Sequence, residues 1–487
     1  METPFGEVPE RYLERASMAE IDERLRRGRV SRRAILKAGV LGAGAIAAGP
    51  VLWQRPGFAA VPPAGRHLVF GSDPQRTMTV SWSTESPVQN PVLDIGIDDS
   101  YGTALPAETR TVAGTPTQYH HVPVVGLQPG TTYHYRVRHD GDVSDDSTFR
   151  TAPASIGAFT FTAFGDQGVS DGALQTTQTV AAANPAFHFH TGDLCYAFRT
   201  GTGNPLKPAP PIDVLVPILT DQSVWDEWLA LVTPQAARAP WMTTVGNHEM
   251  EYGYGELGYD SYLSRFVLPG NGAAGAPSTY SFRYGNVAVL ALDGNDVSYE
   301  LSANRGYTGG AQDLWLEQTL AMLRTDPTID FIVAGYHNCS YCTNVVHASD
   351  AGPRERWGDL FDRYSVDLVI NGHNHCYERT HPLRAGKVTR EAPAGSTISA
   401  AADGTTYITA GGGGQAAYQV ALYPASYVTI LGGLRVPELA PWSATRFLNL
   451  SLLVIDVEPP DPHGIARMTV RAVRADGTEI ERITLTR

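Results

Sequence analysis

Apolar and polar positions change rhythm near residue 153 of this chain. From Pro63 to Pro153 they alternate in short runs, such as Thr77-Met78-Thr79-Val80-Ser81-Trp82 and Tyr133-His134-Tyr135-Arg136-Val137, divided by Gly, Pro and Asp turns. Period-two alternation broken by turn residues predicts an all-β sandwich of about ninety residues. Beyond it, continuous apolar runs over Phe159 to Phe164, Val287 to Leu292, Phe331 to Ala334 and Val366 to Ile370 read as buried strands. Between them, Val224 to Val232, Ala311 to Arg324 and Arg354 to Tyr364 space their apolar residues as amphipathic helices do. Strands interleaved with helices predict an α/β domain that binds ligands at the carboxyl ends of its strands. Thr406 to Ala410, followed by glycines, is one more such strand, and the strand-like tail to Arg487 is expected to complete a second sheet.

The first sixty residues follow neither rhythm. Ser31-Arg32-Arg33-Ala34-Ile35-Leu36-Lys37 resembles a twin-arginine export signal and precedes a mildly apolar run from Ala38 to Trp53. That run is short for a membrane span, which needs about 20 apolar residues, and Ala59-Ala60 offers a processing site. The expectation is an exported, extracytoplasmic protein with no stable membrane insertion once processed. The expected division is a leader over 1–60, a sandwich over 61–153 and a catalytic domain over 154–487.

Size and charge agree with several domains. The chain has 487 residues, 43% of them hydrophobic, and a formal charge of −13, which exceeds the usual single-domain length. The leader holds ten Lys and Arg against seven Asp and Glu, so the acidic excess lies wholly in the remainder. Such a body argues against nucleic-acid binding through general electrostatics.

The chemistry sits in five short blocks: Gly165-Asp166-Gln167-Gly168, Gly192-Asp193-Leu194-Cys195-Tyr196, Gly246-Asn247-His248-Glu249, Gly335-Tyr336-His337 and Gly372-His373-Asn374-His375. Each begins where an apolar run stops at a Gly or polar residue. A mixed nitrogen and oxygen donor set points to Fe, Zn or Mn rather than Ca or Mg. Two adjacent ions need a bridging ligand, which the carboxylate of Asp193 or Asp166 could provide. A phenolate such as Tyr196 is a hard anionic donor matched to Fe(III), so the two ions would not be equivalent. His188 and His190 share one face of a strand, and they and His381 read as core or supporting groups.

This ordered series of GDxG, GDxxY, GNHE, a lone His and GHxH resembles the purple acid phosphatases, a branch of the calcineurin-like metallophosphoesterases. The likeness runs from about Ala158 to Gly414 and includes Cys376-Tyr377-Glu378-Arg379, similar to the family's YER extension. It implies that Asp166, Tyr196 and His375 bind Fe(III), that Asp193 bridges, and that Asn247, His337 and His373 bind a divalent ion (Zn, Fe or Mn). His248 would hold phosphate and help the leaving group depart, and His347 would contact substrate. The implied fold is a two-sheet sandwich flanked by helices. Leu127-Gln128-Pro129-Gly130-Thr131-Thr132-Tyr133 resembles a fibronectin type III tyrosine corner; the resemblance implies a domain that is either structural or contributes to dimer contacts, the second of which would make a homodimer.

The four cysteines, Cys195, Cys339, Cys342 and Cys376, all lie in or beside the metal blocks. An exported protein can keep disulfides, and four cysteines allow three connectivities. Cys339 and Cys342 could close a small loop, leaving Cys195 and Cys376 to pair.

The function expected is an exported acid phosphatase, hydrolysing small phosphomonoesters by a metal-activated hydroxide. Two alternatives stand beside it. One is a Mn- or Zn-dependent phosphodiesterase, against which Tyr196 speaks. The other is a non-catalytic metallophosphoesterase-like binding module, which would have no use for His248. The Pro-rich insertion from Thr200 to Pro240 is expected to shape the cleft mouth.

Overall fold

In the computed structural model of the protein, residues 61–198, 201, 220–251 and 254–487 are described, with a short antiparallel pair, Glu2–Thr3 and Gly6–Glu7. The expected export signal, and Thr200 and residues 202–219 of the insertion, lie outside the described residues.

The N-terminal alternation folds as two antiparallel sheets. One orders Ala64–Phe70, Met78–Thr84, Gln118–Val124 and Glu108–Thr111; the other orders Asp142–Val143, Thr132–His139, Val92–Gly96 and Thr103–Pro106, with Ser147–Arg150 also on Thr132–His139. Thr132–His139 alternates buried with half-exposed positions, as a strand with one face on a core must. At the corner, the Tyr133 hydroxyl accepts a hydrogen bond from the Gln128 N–H at 2.9 Å.

The larger unit is built on two seven-stranded mixed sheets. The first orders Trp241–Thr243, His188–His190, Phe159–Phe164, Ser451–Glu458, Arg467–Arg474, Glu479–Thr486 and Thr397–Ile398. The second orders Tyr280–Tyr284, Val287–Ala291, Phe331–Tyr336, Leu368–Asn371, Thr406–Ala410, Tyr377–Thr380 and Ser443–Phe447. The first three strands of one sheet and four inner strands of the other run parallel. Buried on both faces, Val287–Ala291 is apolar throughout. The C-terminal tail is strand-like as expected: its three long strands complete one of the two sheets, Ser451–Glu458 pairing antiparallel with Phe159–Phe164, Phe159 facing Val457.

Helices cover the outer faces. Ala311–Thr325 buries Gln312, Leu316, Thr319, Leu320 and Leu323, one stripe at helical spacing, into a core shared with Trp357 and Phe361 of helix Ala351–Arg363. Helix Asp171–Ala183 has no counterpart in the sequence reading. It buries only Ala173, Thr176, Thr177 and Val180, while Ser170 caps its start by accepting from the Ala173 N–H. The two sheets are stapled by Glu481, which receives hydrogen bonds from Tyr377 at 2.6 Å and Arg379 at 2.8 Å.

The sandwich and the larger unit share one hydrophobic core, in which Phe70 packs against Phe187 and Phe282. Polar ties reinforce the seam: His121 Nε2 meets the Ser264 carbonyl at 3.0 Å, and Arg110 donates to the Leu263 carbonyl at 2.8 Å. Among the described residues, no helix is long and apolar enough to cross a membrane.

Candidate metal centre

All five blocks fall just beyond the carboxyl ends of parallel strands and converge between the two sheets. Asp166 follows Phe159–Phe164, Asp193 follows His188–His190 and Asn247 follows Trp241–Thr243; from the second sheet, His337 follows Phe331–Tyr336 and His373 follows Leu368–Asn371. Four of these residues bend sharply to face inward. Asp166, Asp193, Tyr196 and His373 hold φ of 63°, 54°, 62° and 69°, a left-handed conformation that side chains seldom adopt and that gathers at functional sites. The neighbouring glycines let the loops close up. A Cβ on Gly372 would lie 2.8 Å from Asp166 Oδ2 and His337 Nδ1, and one on Gly246 would strike Asp193.

The donors form two groups, which meet at His337. In the first, His375 Nε2 lies 3.1 Å from Tyr196 Oη and 3.5 Å from Asp166 Oδ1, and Tyr196 Oη is 3.3 Å from the same Asp166 oxygen. In the second, Asn247 Oδ1 lies 3.0 Å from His337 Nε2 and 2.9 Å from His373 Nδ1. His337 Nε2 also stands 3.1 Å from Asp193 Oδ2 and 3.9 Å from Asp166 Oδ1. All seven sequence-predicted ligands therefore share one buried cluster.

Hydrogen bonds at the rear decide which atoms face the centre. His337 Nδ1 is 2.8 Å from the Thr191 carbonyl and His375 Nδ1 is 3.0 Å from the Ala416 carbonyl. A carbonyl only accepts, so each Nδ1 carries the proton and each Nε2 presents a lone pair inward. Asn247 donates through Nδ2 to the Gly201 carbonyl at 3.0 Å, which turns its Oδ1 to the centre.

His337 Nε2 thus lies at hydrogen-bond distance from both Asn247 Oδ1 and Asp193 Oδ2, a place that either a proton on Nε2 or a bound cation would satisfy, and Asp166 Oδ2 is buried with no hydrogen-bond partner. Burial alone would depress His337, yet Asp193 and Asp166 lift its pKa to about 10; burial would raise Asp193, but His337 and His248 hold it well below the carboxylate range. Burial first, then Asp166, pushes the Tyr196 phenol well above its ordinary value, so its ionised form needs a strong Lewis acid beside it. This donor set fits two adjacent metal ions.

Of the two other predicted residues, His248 lies against the cluster. Its Nδ1 is 2.6 Å from the Phe198 carbonyl, its Nε2 is 4.0 Å from Asp193 Oδ2, and its ring packs 4.3 Å from that of Tyr196. His347 lies beside the cluster, its ring centroid 4.0 Å from that of His373.

Three contributors were not picked out from the sequence. Glu249 accepts from the N–H groups of Asp193, Leu194 and Gly246 at 2.7–2.8 Å. Glu300 touches both His347 and His373, and Tyr418 stacks 4.0 Å over His375. Glu249 carried a signal, being the last letter of GNHE; the other two reach the site through long-range folding alone.

The cysteines differ from the disulfide reading. All four are buried free thiols. Cys376 Sγ lies 3.8 Å from Cys342 Sγ, Cys339 donates to the Gly372 carbonyl at 2.7 Å, and Cys195 packs instead in the main core. Cys195 and Cys376 therefore do not face each other. His188 and His190 lie buried between Phe164 and Trp241 as core groups.

Comparison with known proteins agrees with this geometry. Residues 63–151 match the family model of the purple acid phosphatase N-terminal domain, and residues 159–377 match that of the calcineurin-like phosphoesterases. An uncharacterized protein of Mycobacterium tuberculosis is 34% identical, with 90% of each chain covered. Purple acid phosphatase 15 of Arabidopsis thaliana is 31% identical over 54% of this chain and 49% of its own length. The solved purple acid phosphatase of yellow lupin seeds shares the fold, with a TM-score of 0.68 at 21% identity over 88% of this chain and 75% of the lupin chain. The chain belongs to the purple acid phosphatase family of calcineurin-like phosphoesterases and is a metal-dependent phosphoester hydrolase.

Proposed function

We propose that this chain is an exported acid phosphatase that hydrolyses small phosphomonoesters at a dinuclear centre. In this reading Asp166, Tyr196 and His375 hold Fe(III), Asn247, His337 and His373 hold a divalent ion (Zn, Fe or Mn), and Asp193 joins them. The observation that carries it is the convergence of these seven nitrogen and oxygen donors in one buried cluster, in which Asp166 Oδ2 has no hydrogen-bond partner. Bound cations supply Lewis acidity and neutralise charge on the phosphoryl oxygens.

The chain's own residues orient the ester and manage the proton. With Nδ1 committed to the Phe198 carbonyl, His248 has only Nε2 free to protonate the departing oxygen. Burial, opposed by Asp193, keeps its pKa below the ordinary imidazole value, so the proton it delivers is one taken up in acid medium. His347, 25% exposed at its side chain, is placed to contact the ester from the divalent side. We assign residues 61–153 as a supporting sandwich, 154–487 as the catalytic unit, and 1–60 as a leader whose twin-arginine pattern supports export. Tyr196 favours this reading over a Mn- or Zn-dependent phosphodiesterase, because a phenolate suits a trivalent ion.

Hydrolysis of an aryl phosphomonoester at acid pH by iron- and zinc-loaded protein tests the proposal. Asp193→Asn is expected to lower kcat/KM by about 10³-fold, the scale of several kcal/mol of charge stabilisation. Cleavage of diesters but not monoesters would favour the phosphodiesterase instead.

A further inference from the structure

We propose that Glu300 is a positioning residue that orients two imidazoles of the divalent half of the centre at once, with Arg435 holding it in place. This rests on the dinuclear reading above. The Glu300 side chain is 14% exposed, and both its oxygens are engaged. Oε1 lies 3.0 Å from His347 Nδ1 and 2.9 Å from Arg435 Nη2, while Oε2 lies 3.4 Å from His373 Nε2.

Each contact has a chemical consequence. A proton on His373 Nε2, directed at Glu300, leaves the Nδ1 lone pair facing Asn247 Oδ1 and the centre, which is the tautomer a ligand needs. A proton on His347 Nδ1, directed at the same carboxylate, leaves its Nε2 for substrate. One negative charge therefore sets the basicity of a metal ligand and the orientation of a substrate-side imidazole together.

Glu300 itself is held from two sides, by Asp350 and by Arg435. Its own N–H donates to Asp350 Oδ2 at 3.2 Å, as Ser298 Oγ does at 2.6 Å, and Asp350 caps helix Ala351–Arg363 through the Gly352 N–H. Arg435, on strand Leu434–Leu439, also donates to the Val345 and Val346 carbonyls, so it ties Glu300 to the His347 loop. The guanidinium offsets the cost of a largely buried carboxylate and directs Oε1 away from the metal position.

The test compares full-length wild type, Glu300→Gln, Arg435→Gln and His347→Asn, each carrying iron and titrated with Zn(II). Glu300→Gln is expected to weaken Zn(II) binding by about 10–100-fold, the usual cost of losing a partner behind a metal-ligating His, with iron content unchanged. It should also raise KM. Arg435→Gln, at an exposed guanidinium that leaves the core intact, should shift both quantities in the same direction by less. His347→Asn should raise KM and leave Zn(II) affinity alone. Zn(II) affinity within threefold of wild type in Glu300→Gln, or in Arg435→Gln with KM unmoved should Glu300→Gln not fold, overturns the proposal. Wild type that binds no divalent ion sinks the dinuclear reading instead, before any variant is compared.

Discussion

Glu249 holds the two loops that carry Asp193 and Asn247 against each other, and replacing it with Gln should loosen both. Its Oε2 accepts from the N–H groups of Asp193 and Gly246, and its Oε1 from that of Leu194, with the residue 1% exposed. Gln has one carbonyl oxygen. Whichever way its amide turns, an NH2 group then meets a backbone N–H, and at least one buried donor goes unpaired. Burial, then Asp193, raises the Glu249 carboxyl to about 8, so above that pH, where it is ionised, an unsatisfied buried donor costing about 1–3 kcal/mol joins the lost charge assistance for a total of about 2–4 kcal/mol. On thermal unfolding of chelator-treated protein, where metal linkage cannot mask the effect, this corresponds to a Tm lower by roughly 2–4 °C, because roughly 430 folded residues carry an unfolding entropy of about 0.9 kcal/mol/K. Because the Asp193 backbone sits at φ 54°, a strained position sustained by its surroundings, metal stoichiometry should fall as well. A Glu249→Gln protein that melts within 1 °C of wild type and retains full metal content would refute the reasoning.

Two further outcomes follow from the same contacts. His248→Ala should lower kcat by about 10²–10⁴-fold, the span of general acid catalysis, with metal content unchanged; loss of metal instead would make it a structural residue. His121, at the seam between sandwich and catalytic unit, has its pKa lowered to about 3, chiefly by burial and then by His67, whereas the unfolded chain titrates near 6.5. Between those values the unfolded state binds the extra proton, so the stability this site contributes is intact above about pH 6.5 and is lost as pH falls, by roughly 1.4 kcal/mol per pH unit. Denaturant unfolding at pH 7 and 4.5 should show His121→Asn with a flatter acid limb, and an unchanged slope would assign the acid sensitivity elsewhere.

The centre was legible in the sequence because each donor had to follow a buried strand and sit at a tight turn, which leaves Gly-Asp, Gly-Asn or Gly-His after an apolar run. Strand Val287–Ala291 was legible for the same reason: both faces are buried, so the apolar run is unbroken. Helix Asp171–Ala183 was not. It lies so close to the glycine-rich loop that Thr176 donates to the Gly413 carbonyl, and such proximity selects Ala and Thr over the larger apolar residues that reveal a helix. Tertiary partners were hidden too. Glu300 is 37 residues before His337 and 73 before His373, and nothing local distinguishes it from a solvated loop carboxylate. The cysteines show the opposite error, in which sequence proximity to two metal blocks suggested a pairing that the packing of Cys195 in the main core excludes.

The most direct measurement is a visible absorption spectrum, with metal analysis, of the purified mature protein and its Tyr196→Phe variant. Tyr196 Oη stands 3.1 Å from His375 Nε2 and 3.3 Å from Asp166 Oδ1, in position to give iron its phenolate. The account predicts one iron and one divalent ion per chain and a charge-transfer band in the visible that vanishes in Tyr196→Phe while iron stays bound. A colourless wild-type protein holding two Zn or two Mn ions would contradict it and return the chain to the phosphodiesterase alternative.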